Sequence, residues 1–351
     1  MDKIKKLILV AVPTSICNFR CHYCYLAQRP VHYEGLQADM KYTPEQVAYA
    51  LRQERVGGPA FLNLCADGET LLTNDIDKYV HALLKEGHYI EFVTNLTVTP
   101  MLDRMLDCQQ EMRKRLEFKC SFHYIELKKK GLLERFAENV KKVWAAGASA
   151  NIEITPSDEL IPYIDEVKEF SMKHFGALPH LTIARDDRTD EIGYLTKLSK
   201  EEYDKVWSQF GSGFWEFKQS LFGVKQKDFC YAGEWGFFVN LATGVARPCY
   251  YGNPLGDVFA NPDEPLPHKA LGKCPIAHCY NGHALMSLGF IPHKYSTRYG
   301  DIRNRVRPDG SQWLQPELLS FFNGKLEESN REFSPMQKFI FRTKEHFRRK
   351  N

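Results

Sequence analysis

The stretch Ser15–Gln28, SICNFRCHYCYLAQ, places Cys17, Cys21 and Cys24 at C-x3-C-x2-C just behind an apolar run, KLILVAV, that begins at Lys6. Three soft ligands in one short loop suit a metal or iron-sulfur site. The run before them reads as a first β-strand, so the loop lies at that strand's carboxyl end. Further strand-like runs begin at Ala60 (AFLNLC), Tyr89 (YIEFVTN), Leu116 (LEFKCSF), Ala148 (ASANIEIT) and Pro179 (PHLTIAR), with helical patterns between them. The first helical pattern opens on Thr43 as N-cap, with Pro44 at the first helical position and Gln46 three residues on. The fourth, near Leu132 to Ala146, stops at Gly147. Six βα units predict parallel strands in a barrel or an open sheet. In either arrangement chemistry gathers where strands end. The polar segments ADGE, TNLT, SFHYIE, TPSDE and ARDD all follow strands, so one face collects them.

Composition narrows the class. A chain of 351 residues with 43% hydrophobic and 13% aromatic content can bury a large core, and it reads as a soluble globular protein. A formal charge of +3 does not mark a nucleic-acid binder. The amino-terminal apolar run is broken by Pro13 and lacks a small-residue cleavage site, so it reads as a strand rather than a signal peptide. No run approaches the roughly 20 apolar residues that span a bilayer. The ten cysteines are grouped, Cys17, Cys21 and Cys24 early and Cys230, Cys249, Cys274 and Cys279 late. That pattern suggests metal binding in a reducing, cytoplasmic setting rather than a disulfide framework.

The early motif, with Tyr23 just before its last cysteine, resembles the radical S-adenosylmethionine (SAM) superfamily. The resemblance implies a partial (β/α)6 TIM-like barrel and a [4Fe-4S] cluster held by Cys17, Cys21 and Cys24. Its open iron would bind SAM, with a reductant such as flavodoxin or ferredoxin supplying electrons. ADGET resembles the family's GGE segment, with Asp67 in place of the first glycine and Gly68 and Glu69 retained. There, backbone and carboxylate would hold the SAM ammonium. By the same resemblance Tyr23, Asn95, Ser121, His123, Glu153 and Arg185 are candidates to contact SAM or substrate. Ordinary turn or hydrogen-bonding roles remain open for Ser121, His123, Glu153 and Arg185.

Cys230 to Cys249 fits C-x13-G-x4-C around Gly244, and GFFVNLA and GVARPCY read as a β-hairpin. This resembles the opening of the SPASM auxiliary-cluster domain. Only Cys274 and Cys279 follow, which is the shorter, twitch-type variant with one second [4Fe-4S] cluster and no open iron. Because His278 and His283 lie beside Cys274 and Cys279, a four-ligand zinc site is the alternative. Of the other cysteines, Cys108 reads as a buried hydrophobe, as do Cys65 and Cys120, although the latter two could point toward the barrel mouth.

These readings divide the chain into a barrel (1–190), a helical linker (191–228), an auxiliary-cluster domain with a β-hairpin (229–290) and a helical C-terminal extension (291–351). The last segment, FSPMQKFIFRTKEHFRRKN, reads as an amphipathic terminal helix with a basic end. The resemblance implies an oxidative modification of a peptide or protein. The alternatives are dehydrogenation of a small molecule such as a sugar alcohol, and a non-catalytic iron-sulfur or zinc protein. Many family members that modify peptides carry an amino-terminal winged-helix domain, and a first strand at about residue 6 leaves no room for one. No catalytic acid, base or hydrogen donor is assigned.

Overall fold

The computed structural model describes residues 2–28, 35 and 37–348. Six parallel strands form where the apolar runs predict: β1 (Lys6–Val12), β2 (Ala60–Ala66), β3 (Tyr89–Thr94), β4 (Leu116–Ser121), β5 (Ser149–Ile154) and β6 (His180–Leu181). They pair in chain order, which makes the open α/β sheet of a partial barrel. Both faces of β1 and β5 are largely buried, as near-continuous apolar runs require. The Thr43 capping box forms as expected, with Gln46 N donating to Thr43 Oγ1 (3.3 Å) and Thr43 N to Gln46 Oε1 (2.8 Å). Gly147 takes φ +81° past the helix Leu133–Ala145.

A small antiparallel pair, β7 (Arg185–Asp186) and β8 (Gly193–Tyr194), follows β6. The auxiliary hairpin is β9 (Gly236–Asn240) with β10 (Val245–Arg247), extended by β11 (Gly256–Asp257). Gly244 turns it at φ +74°, where a Cβ would meet Asp257 Oδ1 at 2.1 Å. This hairpin is not set apart from the barrel. β9 runs parallel to β1, pairing Leu7 with Gly236 and Ala11 with Asn240, so the sheet order is β11-β10-β9-β1-β2-β3-β4-β5-β6. The hairpin between Cys230 and Cys249 therefore joins the sheet whose first strand leads into the first cysteine loop.

One apolar core lies between the sheet and its flanking helices. A second joins Leu7, Leu9, Phe61 and Tyr89 to the C-terminal segment, where Phe322 packs on Phe61 (4.5 Å) and Phe321 stacks on Tyr89 (3.6 Å). That segment also fills the barrel interior with a charge. Arg303, fully buried, pairs with Glu117 (3.2 Å), Glu91 (3.6 Å) and Glu153, all on interior-facing strand positions. The terminal helix Pro335–Arg348 docks through Phe341 on Phe229 (5.4 Å) and exposes Met336 and Phe339. Residues 349–351 of the basic end lie outside the described residues.

Candidate active site

The first cysteine loop spans from β1 to a short 3-10 turn, Tyr25–Gln28. Cys24 N donates to Cys21 O (3.0 Å) and Ala27 N to Cys24 O (2.9 Å), which winds the end of the loop into consecutive turns. Three of its residues, Asn18, His22 and Tyr23, clamp it over the carboxyl ends of the strands. Asn18 Nδ2 donates to Thr97 Oγ1 (2.9 Å) and Asn95 Nδ2 donates to Asn18 Oδ1 (2.8 Å). Tyr23 Oη and His123 Nδ1 share a hydrogen bond of 2.6 Å. His22 Nε2 reaches Ser157 Oγ at 3.0 Å and Glu159 at 2.9 Å. Tyr23 and His123, chosen separately from sequence, are thus partners. Asn18, His22 and Thr97 were missed, because no motif marks them. Burial pushes His123 down to about 4, so this pair is neutral.

Gly68 lets the ADGE loop touch the cysteine loop. A Cβ there would lie 2.3 Å from Ile16 O, and the next residue's amide, Glu69 N, donates to that same oxygen (2.8 Å). The Glu69 carboxylate, 2% exposed, accepts from Leu71 N (2.9 Å), Asn95 N (2.7 Å) and Thr94 Oγ1. It therefore stitches the second and third strand ends together, and burial raises its pKa against those donors. Asn95 spends its side chain on Asn18 and on Thr97, whose Oγ1 it accepts from at 2.7 Å. Ser121 ends β4 in register with Glu153 on β5. Glu153 is turned inward, to Arg303 and to Lys119 Nζ (3.3 Å).

Arg185 stands between the two cysteine groups. Its guanidinium is fixed by Asp187 (3.1 and 2.9 Å). It lies 4.1 Å from the ring centroid of Tyr25, next after Cys24, and 5.7 Å from that of Tyr280, next after Cys279. Gln28 grips the same turn, donating to Arg185 O (2.9 Å) and accepting from Asp187 N (2.6 Å).

Cys230 exchanges two 2.9 Å backbone bonds with Gly272, Cys249 follows β10, and Cys274 and Cys279 lead into the helix Gly282–Ser287. Burial pushes the Cys230 thiol up to about 12, with the charges of Cys249 and Cys274 adding to it. Cys279 rises well above the ordinary thiol value through burial and then through Cys230, Cys274 and Cys249. The four thiols are therefore neighbours. In the first group burial raises Cys17 to about 11, with Cys24 contributing. A bound cation reverses such shifts and deprotonates its ligands. Among the described residues, the one His, Cys, Asp or Glu group whose ligand atoms lie mutually within 4.8 Å is His293, Glu327 and Glu332, at the surface. Neither cysteine group is that tight, whereas zinc bonds of about 2.3 Å would hold tetrahedral sulfurs roughly 3.8 Å apart. The donors are all thiols, the ligand type that iron-sulfur clusters take. Of the remaining cysteines, Cys120 is fully buried in the core under the helices, away from the barrel mouth. Cys65 is half-buried; burial, then the charge of Asp67, lifts it to about 12.

An open parallel sheet with a three-thiol loop at the end of its first strand, and polar strand ends gathered around it, is a partial α/β barrel. Residues 11–117 match the family model described as the radical SAM superfamily. A domain of that family implies a [4Fe-4S] cluster and SAM as cofactors. No curated protein matches the chain. Similar solved structures include Streptococcus suis SuiB bound to S-adenosylmethionine, 15% identical over 74% of this chain and 66% of that one, with a TM-score of 0.48. Native anSMEcpe with bound AdoMet is 15% identical over 72% and 78%, TM-score 0.48. BtrN in complex with AdoMet and 2-DOIA is 14% identical over 74% and 80%, TM-score 0.39. The chain spans just under two thirds of the SuiB chain. No described helix is long and apolar enough to cross a membrane.

Proposed function

We propose that this protein is a radical SAM oxidoreductase that oxidatively modifies a peptide or protein substrate lying between its two cysteine groups. The observation that carries the proposal is Arg185, packed between the tyrosines that follow Cys24 and Cys279. When bound by Cys17, Cys21 and Cys24, a four-iron cluster with one open iron supplies the electron that splits SAM into methionine and a hydrogen-abstracting 5'-deoxyadenosyl radical. The Tyr23–His123 pair and Asn18 hold the loop that presents these thiols. Main-chain groups around Gly68 and Glu69 would meet the SAM ammonium, and Ser121 and Asn95 flank the place left for its ribose and carboxylate. Cys230, Cys249, Cys274 and Cys279 would hold a second cluster with no open iron, suited to accept the electron left on the substrate. The substrate would lose one hydrogen atom to the 5'-deoxyadenosyl radical, giving 5'-deoxyadenosine, and then one proton and, to the second cluster, one electron. A flavodoxin or ferredoxin would supply the initiating electron.

Dehydrogenation of a small molecule is the second reading, and one observation favours it. The Lys119 and Arg185 side chains are only 15% and 17% exposed, which suits a small substrate better than a bulky one if it reaches them. Anaerobic, reduced, iron-loaded protein should release 5'-deoxyadenosine from SAM, and should give a peptide or small-molecule product two mass units lighter. Absence of 5'-deoxyadenosine with both cysteine groups loaded would contradict the enzyme reading and restore a non-catalytic iron-sulfur protein.

A further inference from the structure

Phe214, at the start of the helix Gly213–Leu221, is ringed by cations drawn from four elements. Lys119 Nζ of β4 lies 5.9 Å from its ring centroid and Lys218 Nζ 5.7 Å away on the same helix. Arg303 approaches to 5.0 Å, and the His283 ring packs edge-on at 4.8 Å. Most of this charge has a counter-charge. Arg303 has Glu91 and shares Glu153 with Lys119, and Arg185, nearby, has Asp187.

Lys218 is the exception. Its ammonium donates to Thr182 Oγ1 (2.5 Å), and among the described residues no carboxylate lies within ion-pair distance of it. Its pKa is driven well below the ordinary lysine value by burial, then by the charges of Lys119 and Arg185, and no anion offsets them. Lys218 is half-buried, and a largely desolvated ammonium with no counter-charge is costly. His283, 5% exposed, adds a buried Nδ1 without a hydrogen-bond partner to the same neighbourhood.

We propose that Lys218, assisted by Lys119 and Arg185, is the subsite for an anionic group, a carboxylate or phosphate, on the molecule that the enzyme modifies. This rests on the radical SAM reading above and narrows it to acidic substrates. SAM brings a carboxylate of its own, so the test separates the two sources. Inorganic phosphate serves as the probe, titrated into iron-loaded, SAM-saturated protein while Tm is followed, for wild type, Lys218→Met and Lys218→Arg. Phosphate should raise the wild-type Tm, the rise should disappear in Lys218→Met and persist in Lys218→Arg, and SAM affinity should change less than twofold. The proposal is overturned if phosphate has no effect on wild type or stabilises Lys218→Met equally. It is also overturned if Lys218→Met weakens SAM tenfold, since the ammonium would then serve SAM's carboxylate. Should Lys218→Met not fold, Lys218→Gln carries the same comparison. Loss of 5'-deoxyadenosine release from wild type would sink the radical reading while leaving the phosphate result to be judged separately.

Discussion

Replacing Gly68 with alanine would drive a Cβ to 2.3 Å from Ile16 O, in the place where Glu69 N bonds that oxygen. Neither loop can yield without opening the junction between the cysteine loop and the ADGE segment. Overpacking of this kind costs about 1–3 kcal/mol, and Gly68→Ala should lose SAM affinity by more than its stability loss explains, read by calorimetry beside thermal melting. Unchanged SAM binding would show that the close approach serves folding alone. Tyr23→Phe removes the partner of a buried imidazole, at about 1–3 kcal/mol, and should make the first cluster release iron faster to a chelator than in wild type. At this scale the sequence was readable where a residue type has few uses, as with the cysteines, Gly68 and Gly244. It was silent on Asn18, His22 and Thr97, whose roles come from facing polar groups on strands folded beside them.

The barrel interior is an element built from pieces far apart in the chain. Arg303 reaches Glu153 and Glu117 across 150 and 186 residues of sequence. Removing one partner of a buried charge network costs about 3–5 kcal/mol, so Arg303→Met should lose stability on that scale in chemical denaturation; a change near zero would show that the acids have other support. Burial raises Glu117 to about 8 from 4.5, with Glu91 adding and Arg303 opposing. Between those values the unfolded carboxyl is ionised while the buried one keeps its proton, so this group subtracts stability as pH rises through the window. Glu117→Gln should therefore gain on wild type from pH 4.5 to about 8, by at most about 1.4 kcal/mol per unit, and level off above. A flat difference would contradict the assignment. The six strands and the hairpin were legible as apolar runs and turn residues. The parallel pairing of β9 with β1 was not, because two apolar strands carry no label naming their neighbour. Glu91, Glu117, Lys119 and Glu153 within apolar strands were the visible hint of an interior charge network, although nothing pointed to Arg303 as its centre.

Across the whole molecule, one continuous sheet joins the strand before the first cysteine loop to the hairpin between Cys230 and Cys249, and Arg185 packs against the tyrosine following each cysteine group. The thiol sets were legible from spacing, since three cysteines in one short loop have few uses besides holding a metal or a cluster. The contacts of Arg185 with Tyr25 and Tyr280 were not, because they depend on how the segment after β6 folds back over the barrel. The proposed net oxidation rests on two clusters of different kinds, one held by three cysteines and one by four. Iron and acid-labile sulfide per chain after anaerobic reconstitution test this most directly, for wild type and for the Cys17/Cys21/Cys24→Ala variant. Two cubes predict about eight irons in wild type and about four in the variant. About four irons falling to none, with zinc retained, would contradict the two-cluster reading by making the second site structural and removing its electron acceptor.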